Sequence, residues 1–261
     1  MLEAVNQEDI VKRYTEIIKS RKKYSNCYFS MKDLYDKLQE RRISAYETDT
    51  AFLIIEKAGQ LDNLYYMCDS WEWIQGIKDI KKDHQRIAAS IVQKKESDNQ
   101  KMFLDYGYSV YKTYQRLRRT KEVQPYGEDM ITDYCTPKDK VRLRKMMNDT
   151  FDVLSDHIPT DRELDYFIRQ KSIICVRMDD IVTGFIIFED KGKTSYIRMV
   201  CIDGAYRGNG LGNYLMKVYF QIHREYKSFT LWYDMNNKPA YSLYHKWGYE
   251  KEDMYNLIYE L

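Results

Sequence analysis

Three glycines, Gly208, Gly210 and Gly212, fall within five residues directly after the apolar run Val200-Cys-Ile202 and before a helical pattern with Leu211, Leu215, Val218 and Ile222 on one face. A strand, a glycine-rich loop and a helix start in that order constrain the fold more than any other part of the chain. Glycines there allow positive backbone angles and let a ligand approach the main chain closely. The first turn of a helix leaves several N–H groups without internal partners, and with the positive end of the helix dipole these suit a diphosphate. Arg207 at the mouth would add a charge-assisted contact. The spacing is G-x-G-x-G rather than the dinucleotide fingerprint G-x-G-x-x-G, and no Gly-Lys-Ser/Thr of a triphosphate loop follows. A plain strand-to-helix turn is the alternative reading of the same glycines.

Hydrophobic periodicity places the loop in a larger plan. After a boundary at residues 121–127, marked by Pro125 and Gly127, residues 130–135 alternate as a strand. Pro137 opens a helix carrying Val141, Leu143, Met146 and Met147, and the capping box Thr160-Asp-Arg-Glu163 opens another. Residues 172–178 and 181–188 form a hairpin turned at Asp179-Asp180, and residues 194–203 add a third strand. The helix at 210–226, a strand on Phe229, Leu231 and Tyr233, a helix from Pro239 to Gly248 and closing strand alternation over 249–261 complete the order β-α-α-β-β-β-α-β-α-β-β. The expectation is an α+β fold with a mixed, mostly antiparallel sheet flanked by helices, in two domains, 1–122 and 125–261.

Composition narrows the function classes. The chain is 44% hydrophobic and 31% charged with a net charge of +2, so it has material for a core but no concentrated basic face for nucleic acid. Its basic runs, Lys19-Ser-Arg-Lys-Lys23 and Arg116-Leu-Arg-Arg119, read as solvated faces. The five cysteines are scattered and odd in number, which reads as free thiols in a reducing compartment, and neither they nor the four histidines show metal-ligand spacing. His223 and His245 read as helix-surface residues. With no membrane-length apolar run and no signal-peptide pattern at the N-terminus, a cytoplasmic protein without membrane or nucleic-acid partners is expected.

Arg207-Gly-Asn-Gly-Leu-Gly212 resembles the R-x-x-G-x-G acetyl-CoA loop of the GNAT N-acetyltransferase superfamily. Asn237-Lys-Pro-Ala240-Tyr-Ser-Leu-Tyr244-His-Lys-Trp-Gly248-Tyr249 is similar to that family's later motif, and the two lie in the family's order with one strand between them. The resemblance covers residues 125–261. It implies acetyl-CoA as co-substrate and transfer of acetyl to a primary amine of a small or amino-acid-like molecule by direct attack. It also implies roles. Main-chain groups of Met199, Val200, Cys201 and Ile202 would pair with the pantetheine arm as an added strand. Arg207, Gly208, Asn209, Gly210, Leu211 and Gly212 would hold the diphosphate. Asn237 would bond the cofactor arm or cap its helix, and Tyr244 would protonate the departing thiolate unless it is only a core aromatic.

The chain departs from the family pattern at the base. Trp232 stands where several members carry a glutamate, and the strand before the glycine loop offers Tyr196 and Arg198 but no carboxylate. Asp234 and Glu189 are the candidates, with a substrate-binding or solvent-facing Asp234 as alternatives. A covalent route through Cys201 is disfavoured because that residue reads as core. The competing functions are a non-catalytic acetyl-CoA or partner-binding module, and a tandem transferase using aminoacyl-tRNA.

The first half carries weaker echoes of the second. Tyr106-Gly107-Tyr108 parallels Trp247-Gly248-Tyr249, and each follows a short helical pattern and a strand. Upstream come helices over 6–22 and from Ser30, a hairpin over 50–57 and 61–68 turned at 58–60, and a helix over 71–82. At the position of the glycine loop stands Cys68-Asp-Ser-Trp-Glu-Trp73, without glycine or arginine. The first half is expected to be a degenerate GNAT-like copy that binds no cofactor, with an unrelated α+β cap as the alternative.

Overall fold

The computed structural model describes residues 1–58, 61–81, 86–94, 98–120 and 132–260. The expected turn residues 59–60, the boundary at 121–127 and residues 130–131 of the expected strand lie outside the described residues. The chain divides into two compact units, Met1–Thr113 with Met254–Leu261, and Tyr114–Asp253.

Unit 1 begins with β1 (Glu3–Val5), α1 (Ile10–Ser20), β2 (Tyr24–Ser25) and α2 (Met31–Gln39). There follow β3 (Ile43–Glu47), β4 (Ala51–Ala58), β5 (Leu61–Cys68), α3 (Trp73–Ile80), β6 (Ile87–Gln93), α4 (Asp98–Asp105) and the start of β7 (Ser109–Arg119). Strands β3, β4 and β5 form an antiparallel meander, β1 flanks β3, and β6 runs parallel to β5. Alternation along β4 sets the layers. Phe52 and Ile54 pack with Ile10, Tyr14 and Leu34 of α1 and α2, whereas Leu53 and Ile55 pack with Ile74, Ile77 and Phe103 of α3 and α4.

Unit 2 holds β7 from Tyr114 onward, then β8 (Asp133–Tyr134), a 3-10 turn (Pro137–Asp139), α5 (Lys140–Thr150) and α6 (Asp161–Arg169). There follow β9 (Ile173–Met178), β10 (Ile181–Lys191), β11 (Thr194–Ile202), α7 (Leu211–Ile222), β12 (Ser228–Asp234), α8 (Lys238–Lys246) and the start of β13 (Glu250–Glu260). Strands β9, β10 and β11 form the meander, β8 flanks β9, β12 runs parallel to β11, and β7 pairs with β12 antiparallel. Phe185 and Ile187 of β10 face α5 and α6, and Ile186 and Phe188 face α7 and α8, so β10 is covered on both sides and reads as a continuous apolar run.

The two runs of elements match one for one, save for β2. Each has a short strand, two helices, a three-strand meander, a helix, a strand parallel to the third, a helix and a closing strand. Each closing strand crosses from one unit to the other. Residues 114–119 of β7 pair with β12 in unit 2, and residues 255–260 of β13 pair with β6 in unit 1. The sequence pattern suggests two closing strands, but 250–260 is a single strand. Strands β1 and β3 escaped it, being short and half polar.

The capping box at Thr160 forms as the sequence predicts, and Ser30 and Thr136 prove to head capping boxes as well. Asp139 at the entry to α5 accepts from Thr136 N at 2.7 Å and from Arg177 of β9 at 2.7 and 2.9 Å. The Arg177 guanidinium holds that carboxyl down to about 2. The ionised form is therefore favoured by folding, so its stabilisation is complete above the ordinary carboxylate range and is lost as pH falls toward about 2. Acid titrations followed by circular dichroism should show Asp139→Asn losing less stability than wild type between roughly pH 4 and 2. Parallel acid limbs would contradict the assignment. Leu215, fully buried between α7 and the sheet, sets a second test. Leu215→Ala should cost unit 2 about 2–5 kcal/mol in denaturant unfolding, whereas exposed Val141→Ala should cost under about 0.5. Equal costs would contradict the packing.

Candidate active site

Strands β11 and β12 are parallel neighbours only from Thr194↔Ser228 to Ile197↔Leu231. Beyond that point β11 continues on β10 as far as Ile202↔Gly184, and β12 continues on β7 as far as Asp234↔Tyr114. The β12-facing edge of β11 from Arg198 to Ile202 thus has no ladder partner among the described residues. A bulge coincides with the parting. The β10 register steps from Ile187↔Met199 to Phe188↔Ile197, leaving Arg198 as the extra residue. A bulge bends its strand and increases its twist. It also exchanges faces here: Ile197 packs toward α7 and α8, whereas Met199 and Cys201 pack toward α5 and α6. Arg198 is anchored on that second side by Glu189 at 3.1 Å and Glu163 at 3.3 Å, with its guanidinium 5.4 Å from the Phe167 ring centroid.

The glycine loop lies at the end of the open edge. Asp203 accepts from Ala205 N at 2.9 Å and pairs with Arg142, turning the chain through a short 3-10 segment, Gly204–Tyr206. Those two contacts hold its carboxyl below the usual range. Gly208 and Gly210 have φ of +82° and +77°, and a Cβ at either would meet only open space. Glycine is needed there for backbone angle rather than for packing. Gly212 differs: a Cβ would stand 3.3 Å from Leu243 Cδ2, so its smallness lets α8 settle on α7. Gly210 caps α7 without any side-chain cap, and Tyr214 N is the first to donate back into the helix, to Gly210 O at 3.0 Å. The N–H groups of Leu211, Gly212 and Asn213 have no acceptor within the helix. Exposed Arg207 folds back to donate from Nε to Ile202 O at 3.1 Å, at the end of the open edge.

Helix α8 supplies the other expected residues. Asn237 Oδ1 accepts from Ala240 N at 3.0 Å, which caps the helix and leaves the amide donors of Nδ2 for another partner. Tyr244 is buried among Tyr249, Leu231 and the α7 side chains. Burial, with a smaller contribution from the phenol of Tyr196 on β11, pushes its pKa up, so it carries its proton at neutral pH.

Asp234 ends β12 beyond the parting and accepts from Asn236 N at 2.9 Å. Its register neighbour Tyr114 donates to Asp156 Oδ1 at 2.5 Å. Burial and then Asp156 push the Tyr114 phenol up, with Asp234 contributing as well. Glu189 sits on β10 against Arg198, and Trp232 lies opposite Arg116, whose guanidinium is 6.0 Å from the ring centroid. Cys201 is buried, its thiol pushed up by burial, which disfavours a nucleophilic role. His223 corrects an expectation. It is 2% exposed, with Nδ1 2.7 Å from Tyr219 O and Nε2 within 3.4 Å of Ser195 and Asp190, because α7 ends at Ile222 and its cap turns inward onto β10. His245 is exposed, as its pattern suggests. Arg198, Tyr114 and Asp156 carry no motif that marks them as site residues in the sequence. Their assembly depends on a bulge and on the pairing of β7 with β12, neither of which leaves a local pattern. Among the described residues no group of three or more His, Cys, Asp or Glu could hold a metal, and no helix is long and apolar enough to cross a membrane.

Residues 140–249 match the model of the acetyltransferase (GNAT) family. No protein of curated function matches the chain in sequence. Solved structures similar to the whole chain include a GCN5-related N-acetyltransferase from Sphaerobacter thermophilus, at TM-score 0.58 and 12% identity over 100% of this chain and 95% of that one. A GNAT-family acetyltransferase from Colwellia psychrerythraea is similar at TM-score 0.61 and 10% identity, over 100% and 98%. A tandem GNAT protein from the clavulanic acid biosynthesis pathway is similar at TM-score 0.58 and 9% identity, again over 100% and 98%. With the paired motifs in their expected order, residues 140–249 therefore belong to the acetyltransferase (GNAT) family, and the chain as a whole has the fold of GNAT proteins, tandem ones included.

Proposed function

We propose that this chain transfers the acetyl group of acetyl-CoA to a primary amine of a small molecule, by direct attack in unit 2. The observation that carries this reading is the open edge of β11, 198–202, leading straight to the uncapped, glycine-lined start of α7. An extended arm with amide groups fits the first, and a diphosphate fits the second. Main-chain groups of Met199, Val200, Cys201 and Ile202 would hold the pantetheine arm. Residues 207–212 would hold the diphosphate, with Arg207 adding charge, and the Nδ2 of Asn237 would donate to the arm. Acetyl-CoA supplies the activated acyl group.

The remaining work falls to side chains. An ammonium has no lone pair, so the acceptor must lose a proton before it attacks. Asp234, past the parting of the strands, is the residue proposed to take it. Glu189 is the weaker candidate because it already neutralises Arg198. Holding amine and thioester together would supply much of the acceleration, and the β11 amides near Val200 would meet the developing oxyanion. Tyr244 keeps its proton at neutral pH and would give it to the departing sulfur.

Thiol release from acetyl-CoA over a panel of primary amines tests the reading. Turnover with at least one amine is expected, and no turnover with any would favour a non-catalytic module. With the active amine, Tyr244→Phe should lower kcat by about 10²-fold or more while leaving KM for acetyl-CoA nearly unchanged. Unchanged kcat would remove Tyr244 from the proton-donor role.

A further inference from the structure

The loop between the first two helices behaves differently in the two units. In unit 2 it spans 151–160 and folds on itself. Asp152 N donates to Asp156 Oδ2 at 2.7 Å, Ser155 Oγ donates to Asp152 at 3.0 Å, and Tyr114 ties Asp156 to β7. In unit 1 the equivalent loop spans 21–30, the same length, and takes another path.

The parallel pair of unit 1, β5 and β6, shares only Asp62↔Ile87 and Asn63↔Ala88 before parting, as β11 and β12 do in unit 2. The loop runs into this gap. Tyr24 and Ser25 pair antiparallel with Cys68 and Met67, adding a strand to the edge that corresponds to the open edge of β11. Asn26 then bridges both strands. Its N donates to Tyr66 O at 3.1 Å, and its Oδ1 accepts from Tyr66 N at 2.6 Å. Its Nδ2 donates to Leu64 O at 3.0 Å on β5 and to Ser90 O at 3.1 Å on β6.

Upstream, Lys22 Nζ at 2.6 Å and Lys23 N at 3.1 Å bond to Asp69, the first residue past β5, where unit 2 has its turn into the glycine loop. The Tyr24 ring lies 4.9 Å from Trp71, against the start of α3. Both units place an aspartate there, paired with Arg142 in unit 2 and with Lys22 of the inserted loop in unit 1, but only in unit 2 do an arginine and glycines follow it.

We propose that residues 22–26 are a built-in occupant of the cleft between the parallel strands of unit 1, so that the chain carries a single acetyl-CoA site, in unit 2. The identity of the ligand rests on the function proposed above, whereas the occupancy of the unit 1 cleft does not. Every outward bond of Tyr66 is made to Asn26, so a coenzyme arm would have to break the added strand, the Asn26 bridge and the Lys22–Asp69 pair to enter.

Hydrogen–deuterium exchange on the full chain, with and without acetyl-CoA, tests both parts. Acetyl-CoA should slow exchange over 199–213 and leave 62–68 and 87–93 unchanged. Slowing over 62–68, or release of 24–26 on addition of acetyl-CoA, would overturn the single-site assignment. Without any ligand, the Tyr66 amide should exchange slowly in wild type and more than about ten-fold faster in Asn26→Ala. Tyr66 exchange already at the unprotected rate in wild type would overturn the occupancy itself, and needs no variant to be read. Were neither cleft slowed by acetyl-CoA, the unit 2 assignment would fall, and slow Tyr66 exchange would still support the occupied cleft.

Discussion

Everything at the candidate site depends on two parallel strands that start together and then separate. A parallel pair that stayed zipped would spend all its main-chain groups on itself. The extra residue at Arg198 lies where the two part, and it bends β11 while β12 keeps its own ladder with β7. The result is a strand edge that is ordered by β10 on one side and open on the other. Ordered but unpaired main-chain donors are a rare resource inside a folded protein, and they bind an extended polar arm without a cost of organising them. The glycine loop continues the same logic, since Gly208 and Gly210 present bare amides at the start of an uncapped helix.

The two units show what such a gap requires. Each contains a parallel pair that parts, flanked by a loop of ten residues between its first two helices, 21–30 and 151–160. Where the loop is drawn back by its own aspartates and a tyrosine, the edge is open for a ligand. Where Asn26 bridges the strands, the same loop supplies the missing partners. Main-chain groups left in such a gap are satisfied by a ligand, by the chain itself or by water. In this view one plan serves as a binding site in one unit and as a closed scaffold in the other.

Much of the second unit was legible from local pattern. The hairpin over β9 and β10, the helix start at Gly210 and the cap at Thr160 each rest on residues adjacent in sequence. The repeat in the first half was legible from its aromatic punctuation and its order of elements, and not from a glycine loop, since Cys68 to Trp73 stands at that position. Three features left no local trace. The crossing of β7 and β13 between units, the bulge at Arg198 and the inward turn of His223 each depend on partners more than thirty residues away or on a one-residue change of register. Asp190 illustrates the difficulty, since its partner His223 is 33 residues away in sequence.

The central claim is that the open edge and the glycine-lined helix start form an acetyl-CoA site. Isothermal titration of acetyl-CoA into the wild-type chain, beside an Arg207→Glu, Gly210→Glu double variant whose fold is verified by circular dichroism, tests it most directly. Saturable binding to wild type, lost in the double variant, is the predicted result. Binding to neither protein, or equal binding to both, would mean that the glycine loop is only a turn and that the transferase reading is wrong.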